Sequence, residues 1–125
     1  MYNNRVMITG FLARDAETRT ARNDNTFTRL SVATKRTWKN RETGDYESQT
    51  TWHRCVVFGS QAAFAATLMK GAHVQIEGEL RTREYSEKAP GKKSAVVKKS
   101  VTEIRVFRIT KLDRPAKPEE AVPQT

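Results

Sequence analysis

The sequence predicts an all-β barrel of five strands, with one short helix between the third and the fourth. Three observations lead there. Segments 5–12, 27–38, 51–58, 73–85 and 101–112 alternate apolar and polar residues with the period of two that half-buried strands show. One alanine-rich stretch, 60–71, has helical character and falls between the third and fourth strands. The order strand, strand, strand, helix, strand, strand is that of the Greek-key OB barrel. At 125 residues the chain has the size of one domain. Such a domain buries about two-thirds of its unfolded surface, enough for a core without disulfides or metal.

Taken in order, the first strand places Val6, Ile8 and Leu12 on one side. Gly10 lies among them, where the backbone bends or is closely approached. Residues 15–25 are polar and read as a loop ending in the turn Arg22-Asn23-Asp24-Asn25. The second strand turns Leu30 and Val32 inward. Trp38 shares their parity, so either a bulge after Thr34 switches its face or the end of the strand curves out of the core. Lys35, Arg36 and Thr37 make poor core residues, so Trp38 is expected to be exposed. Residues 39–50 read as a polar loop with Gly44-Asp45 at its tip.

The third strand sorts Trp52, Arg54, Val56 and Phe58 onto one face, and His53, Cys55 and Val57 onto the other. The helix is expected to begin with Ser60 as N-cap and to stop at Gly71. In the fourth strand Val74, Ile76, Gly78 and Leu80 point one way, and Gln75, Glu77, Glu79, Arg81, Arg83 and Tyr85 point the other. Residues 86–100, rich in lysine around Pro90-Gly91, read as a mobile basic loop. The last strand contributes Ile104 and Val106 to the core. From Asp113 the chain has three prolines and little that could pack, which predicts a disordered tail over 113–125 and a domain over 1–112.

Lysine and arginine number 23 against 14 acidic residues, a net charge of +9. That balance favours nucleic acid as partner, with an anionic membrane surface second. No basic amphipathic helix supports the membrane reading. With neither a signal peptide nor an apolar run long enough for a span, a soluble cytoplasmic protein is expected. The single Cys55 excludes an intramolecular disulfide and a multi-cysteine zinc site.

His53 and Cys55 superficially form a thiol–imidazole pair, but Cys55 lies in an apolar run that suits a buried, inert thiol. His73 has no histidine or cysteine at ligand spacing, no glycine-rich phosphate loop is present, and Glu77 and Glu79 read as a solvated strand face. No enzymatic activity, metal or cofactor is expected.

Trp52 and Phe58 taken alone would pass as core residues. As a set, Trp38, Trp52, Phe58 and Tyr85 read differently, because each has cations close by in sequence. In an OB barrel, strands two and three and the loops 1–2 and 4–5 form the binding face. Trp38, Trp52 and Phe58 fall on those strands and Tyr85 opens the latter loop, so all four are expected on one barrel face. Aromatics interleaved with cations suit a single-stranded nucleic acid, whose bases stack while its phosphates meet charge. The candidate cations are Arg5, Lys35, Arg36, Arg54, Lys70, Arg81 and Arg83.

Trp52-His53-Arg54-Cys55-Val56-Val57-Phe58-Gly59 and Glu77-Gly78-Glu79-Leu80-Arg81-Thr82-Arg83-Glu84-Tyr85 closely resemble segments of the bacterial single-stranded DNA-binding proteins. So does Asn4-Arg5-Val6-Met7-Ile8-Thr9-Gly10-Phe11-Leu12, and the resemblance runs from about Tyr2 to Leu112. It implies an OB barrel, a homotetramer, and single-stranded DNA bound without strong sequence preference in replication, recombination and repair. By position, Trp38, Trp52 and Tyr85 match aromatics that stack on bases, Tyr85 standing where tryptophan is common. Phe58 matches the aromatic beside the glycine that ends the third strand. His53 matches a position at the subunit interface.

The family's acidic, hydrophobic tail tip is missing from Glu119-Glu120-Ala121-Val122-Pro123-Gln124-Thr125, through trimming or in a tail-less plasmid, phage or secondary copy. Tail-mediated recruitment of replication and repair proteins is in doubt on that ground. A dimeric OB accessory factor of the primosomal type and an RNA-binding OB module are the alternative readings.

Overall fold

Alternation along the strands becomes a closed barrel in the computed structural model, which describes residues 1–21, 23–88 and 96–112, with 87, 88 and 96 by backbone only. The elements are β1 (Val6–Leu12), β2 (Glu17–Thr20), β3 (Thr26–Lys39), β4 (Tyr46–Val57), a 3₁₀ turn over Gly59–Gln61, α1 (Ala62–Ala65), β5 (His73–Lys88) and β6 (Val96–Lys111). They pair in the order β1-β5-β6-β4-β3-β2, and a β1–β3 pairing closes the ring. Leu12, Leu30, Val32, Cys55, Val57, Val74, Ile76, Ile104 and Val106 fill it, as their parity predicts. Each is an inward position on a strand whose other side faces solvent or the groove described below, so burial of apolar area drives the closure.

The polar stretch 15–25 is not only a loop: it contains β2. The β1–β3 register pairs Leu12 with Val32, and the β2–β3 register pairs Glu17 with Arg29. β2 therefore continues β1 along the same partner after a kink at Ala13–Ala16. Together they make the first strand of the five-stranded barrel, interrupted. The predicted turn after β2 is present, with Ala21 N–H donating to the Asn25 carbonyl at 2.7 Å and Asp24 at φ 64°.

Two glycines are demanded by close approach. A Cβ on Gly10 would run into the Ala33 carbonyl, and one on Gly78 into that of Arg105. Gly78 sits at the bulge in the β5–β6 ladder. A side chain there would force the two strands apart.

The helix departs from expectation. It spans four residues, Ser60 lies inside the preceding 3₁₀ turn, and no side chain caps it. Tertiary partners govern its ends instead. Thr28 Oγ1 donates to the Ala62 carbonyl at 2.7 Å, and Gln61 Oε1 accepts the Ile109 N–H at 2.8 Å. After Ala65 the chain tightens into i→i+3 bonds, and Gly71 at φ 91° ends the segment as predicted. Ala62, Ala65 and Leu68 cover one end of the core.

Both long hairpins outrun the barrel. β3 and β4 pair without a break from Thr28↔Val57 to Lys39↔Tyr46, which shortens the expected 39–50 loop to the turn around Asn40–Asp45. β5 and β6 pair out to Lys88↔Val96, so much of the expected basic loop is strand. Its centre and the predicted tail lie outside the described residues. Leu80 shares the face of Val74 and Ile76 but is 48 % exposed. β1 stops pairing with β5 at Val6↔Gly78, and the Asn4 side chain takes over, bonding both the N–H and the carbonyl of Leu80.

Candidate nucleic-acid interface

Continuous register fixes which side chains share the barrel's outer face. In β3 these are Phe27, Arg29, Ser31, Ala33 and Lys35; in β4, Val56, Arg54, Trp52 and Thr50 stand opposite the last four. β6 adds Arg105 beside Val56, and β5 adds Arg81 and Arg83 across from Glu103 and Val101. Between the β2–β3 turn and the β5–β6 arm this face sinks into a groove of about 550 Å³. Phe27, Phe58, Val56, Arg29, Arg81, Arg83, Glu103 and Arg105 line it. Its volume falls within the range of about 300–1,000 Å³ typical of sites for small molecules.

Phe58 reaches the groove, but its ring is already engaged. Phe27 stacks on it with centroids 5.0 Å apart and planes 23° apart. The Arg105 Cζ lies 4.4 Å from the same centroid. Since β4 runs between β3 and β6, these two neighbours flank Phe58 from opposite sides.

The groove arginines divide into two kinds. Arg81 Nε donates to Glu79 Oε1 at 3.0 Å, and Arg83 Nε to Glu103 Oε1 at 3.1 Å. Arg83 also approaches the Tyr85 ring, at 5.9 Å from its centroid. Arg29 and Arg105 form no ion pair with a described residue.

Beyond the groove, Trp52 and Arg54 line a smaller hollow of about 150 Å³ with Arg14 and Arg29. Trp52 is 54 % exposed and Tyr85 40 %, far from the burial a core residue would show. Trp38 is 38 % exposed, and the unbroken β3–β4 register leaves no bulge: it keeps the parity of Leu30 and Val32, on a ribbon that has run past the barrel. Trp38 therefore lies on the ribbon face opposite to Trp52, with Arg36, while Lys35 shares the face of Trp52. The four aromatics therefore do not share one face, as the sequence predicts they should. Parity within each strand was readable, but the relation between strands needed the register.

Two predicted cations stand apart from the groove. Arg5 is ion-paired to Glu77 at 3.0 Å beside β1, and Lys70 follows the helix, its N–H donating to Asp15 Oδ1 at 2.8 Å. Sequence reasoning missed Phe27, Arg29 and Arg105. Alternation in β3 marks Phe27 and Arg29 as outward, but only strand order brings Arg105 to Phe58.

On the inner parity, Thr34 Oγ1 and His53 Nε2 lie 2.9 Å apart, and partial burial holds the imidazole pKa below its ordinary 6.5. Cys55 is fully buried, and loss of solvent, aided by the charge of Glu103, pushes its thiol up to about 12. Its Sγ–H meets the His53 carbonyl at 3.6 Å, not the ring, so the pair has no thiolate to offer. No described helix is long and apolar enough to cross a membrane.

The family model described as the single-strand binding protein family matches residues 3–112. Among solved structures, the chain is similar to the Plasmodium falciparum SSB in complex with ssDNA, with a TM-score of 0.72 and 25 % identity over 90 % of this chain and 97 % of that one. It is also similar to a deletion mutant of the single-stranded DNA binding protein from Thermus aquaticus, with a TM-score of 0.70 and 25 % identity over 89 % of this chain and 51 % of that one. It thus spans about half the length of the Thermus chain. A closed barrel with a cationic, aromatic outer groove and a family match over nearly all of its described length lead to one conclusion: the chain belongs to the single-strand binding protein family.

Proposed function

We propose that this protein binds single-stranded DNA without catalysis and without strong sequence preference, coating it during replication, recombination and repair. The observation that carries the reading is the outer face itself, where exposed Trp52 and Tyr85 flank an arginine-lined groove. Every base has a face to stack and every nucleotide a phosphate, so such a surface takes any sequence. A duplex hides its bases, so the surface discriminates against it. The family match and the ssDNA held by the Plasmodium relative support the same reading.

The finer parts of the proposal rest on family resemblance: a cytoplasmic protein on bacterial nucleoid DNA, a homotetramer, and His53 at a subunit contact. Fluorescence anisotropy of labelled oligo(dT), the matching RNA and a duplex, each at two salt concentrations, tests the ligand. Binding of oligo(dT) that weakens steeply with salt and exceeds both competitors is expected; equal or tighter RNA binding contradicts it. Light scattering that gave a monomer would overturn the tetramer and leave DNA binding standing.

A further inference from the structure

We propose that Arg105, rather than Phe58, presents the stacking face inside the groove; the inference rests on the single-stranded-DNA reading of that groove. Phe58 has Phe27 on the side of β3 and Arg105 on the side of β6, so a base cannot lie on its ring without displacing one of them. Arg105 is half-buried, lines the groove, and forms no ion pair with a described residue. Its neighbours Arg81 and Arg83 are each held by a carboxylate.

A guanidinium is planar and weakly hydrated, and it stacks on aromatic rings through both dispersion and charge. Bases stack on guanidinium planes as they do on aromatic side chains. In the bound state Phe27, Phe58, Arg105 and a base form one pile. The two phenyl rings fix the plane of the guanidinium beforehand, which lowers the side-chain entropy lost on binding. Arg105 also carries its positive charge into the groove, so one residue serves both the base and the phosphate backbone.

The test compares wild-type protein with Arg105→Ala and Arg105→Lys for binding of labelled oligo(dT) at several salt concentrations, with thermal melts run alongside. Arg105→Ala is expected to weaken binding roughly 5- to 150-fold, the range known for base-stacking residues of this class of protein. It should also lower the slope of log affinity against log salt by about one. Arg105→Lys keeps the charge and loses the plane, so it should keep the slope while binding several-fold more weakly. If Arg105→Ala does not fold, Arg105→Met, which keeps the length of the side chain but loses both charge and plane, takes its place.

Alanine or methionine variants that bind as tightly as wild type, or more tightly through an uncovered Phe58, overturn the assignment. So does a lysine variant indistinguishable from wild type, which would leave charge as the whole effect. Wild-type protein that fails to bind oligo(dT) overturns the functional reading together with this one. Normal wild-type binding with unaffected variants overturns the Arg105 assignment alone.

Discussion

In the groove, Phe58 sits between Phe27 and Arg105, and Arg81 and Arg83 are held by Glu79 and Glu103. Along the rest of β3 and β4 the same residue types have no such partners: Trp52 stands exposed on the barrel's outer face and Trp38 on the opposite face of the arm beyond it, and Lys35, Arg36 and Lys39 form no ion pair with a described residue. On the proposed reading, the groove is set before DNA arrives, and the exposed side chains of the arm order on binding. Ordering costs about 0.5–1.5 kcal/mol for each rotamer-rich side chain, so equal contacts yield less net affinity on the arm. The arm gains adaptability in exchange.

The largest effect on binding is expected at Trp52. Trp52→Ala should weaken oligo(dT) binding by about 1–3 kcal/mol, again the range known for stacking residues of this class. It should leave the midpoint of urea unfolding nearly unchanged, because the indole is more than half exposed. A loss of ~3–5 kcal/mol in unfolding free energy would mark it as a core residue after all.

The two kinds of arginine give a sharper contrast. Arg29→Met should lower the salt slope by about one and spare stability. Arg83→Met should change the slope less, since Arg83 exchanges a carboxylate for a phosphate. It should also cost of the order of 1–2 kcal/mol of stability by leaving nearly buried Glu103 without its donor. Salt titrations and thermal melts on both variants read the two terms separately. Equal slopes and equal melts would erase the distinction.

Trp38 and Trp52 test the two faces of the β3–β4 ribbon. Because the register sets them on opposite sides, the double variant should bind with the sum of the single losses, to within about 0.3–0.5 kcal/mol. Strong coupling in the double-mutant cycle would place both rings against one stretch of DNA.

How much of this was legible beforehand follows from what each signal depends on. The core was legible, because period-two alternation in Leu30 and Val32, Cys55 and Val57, or Ile104 and Val106 is a local property of each strand. Exposure of Trp38 followed from the poor core residues before it. β2 was hidden because Glu-Thr-Arg-Thr carries no apolar side chain, so only its pairing to β3 makes it a strand. The helix was overestimated because its length is set by Thr28, Gln61 and the turn to Gly71, not by alanine content. The flanking of Phe58 joins three strands distant in sequence, and no window along the chain contains it.

A smaller effect belongs to His53. Burial depresses its folded pKa below 6.5, so protonation is disfavoured in the native state. Between that depressed value and about 6.5 the unfolded chain holds more protons, so stability falls as pH drops through this window and levels off below it. Above about pH 8 the imidazole is neutral in both states, and the residue contributes nothing to the slope. His53→Gln should flatten the unfolding free energy between pH 7 and 5; an unchanged profile would assign the slope to other groups.

The central claim is that the outer face of β4 meets single-stranded DNA, and Trp52 can report on it directly. The chain has two tryptophans, so Trp38→Phe leaves Trp52 as the single indole fluorophore. Titrating that variant with poly(dT) at low salt should quench its emission, and added salt should reverse the quenching. Emission that stays constant through a titration in which anisotropy shows the DNA bound would put the contact elsewhere and contradict the account.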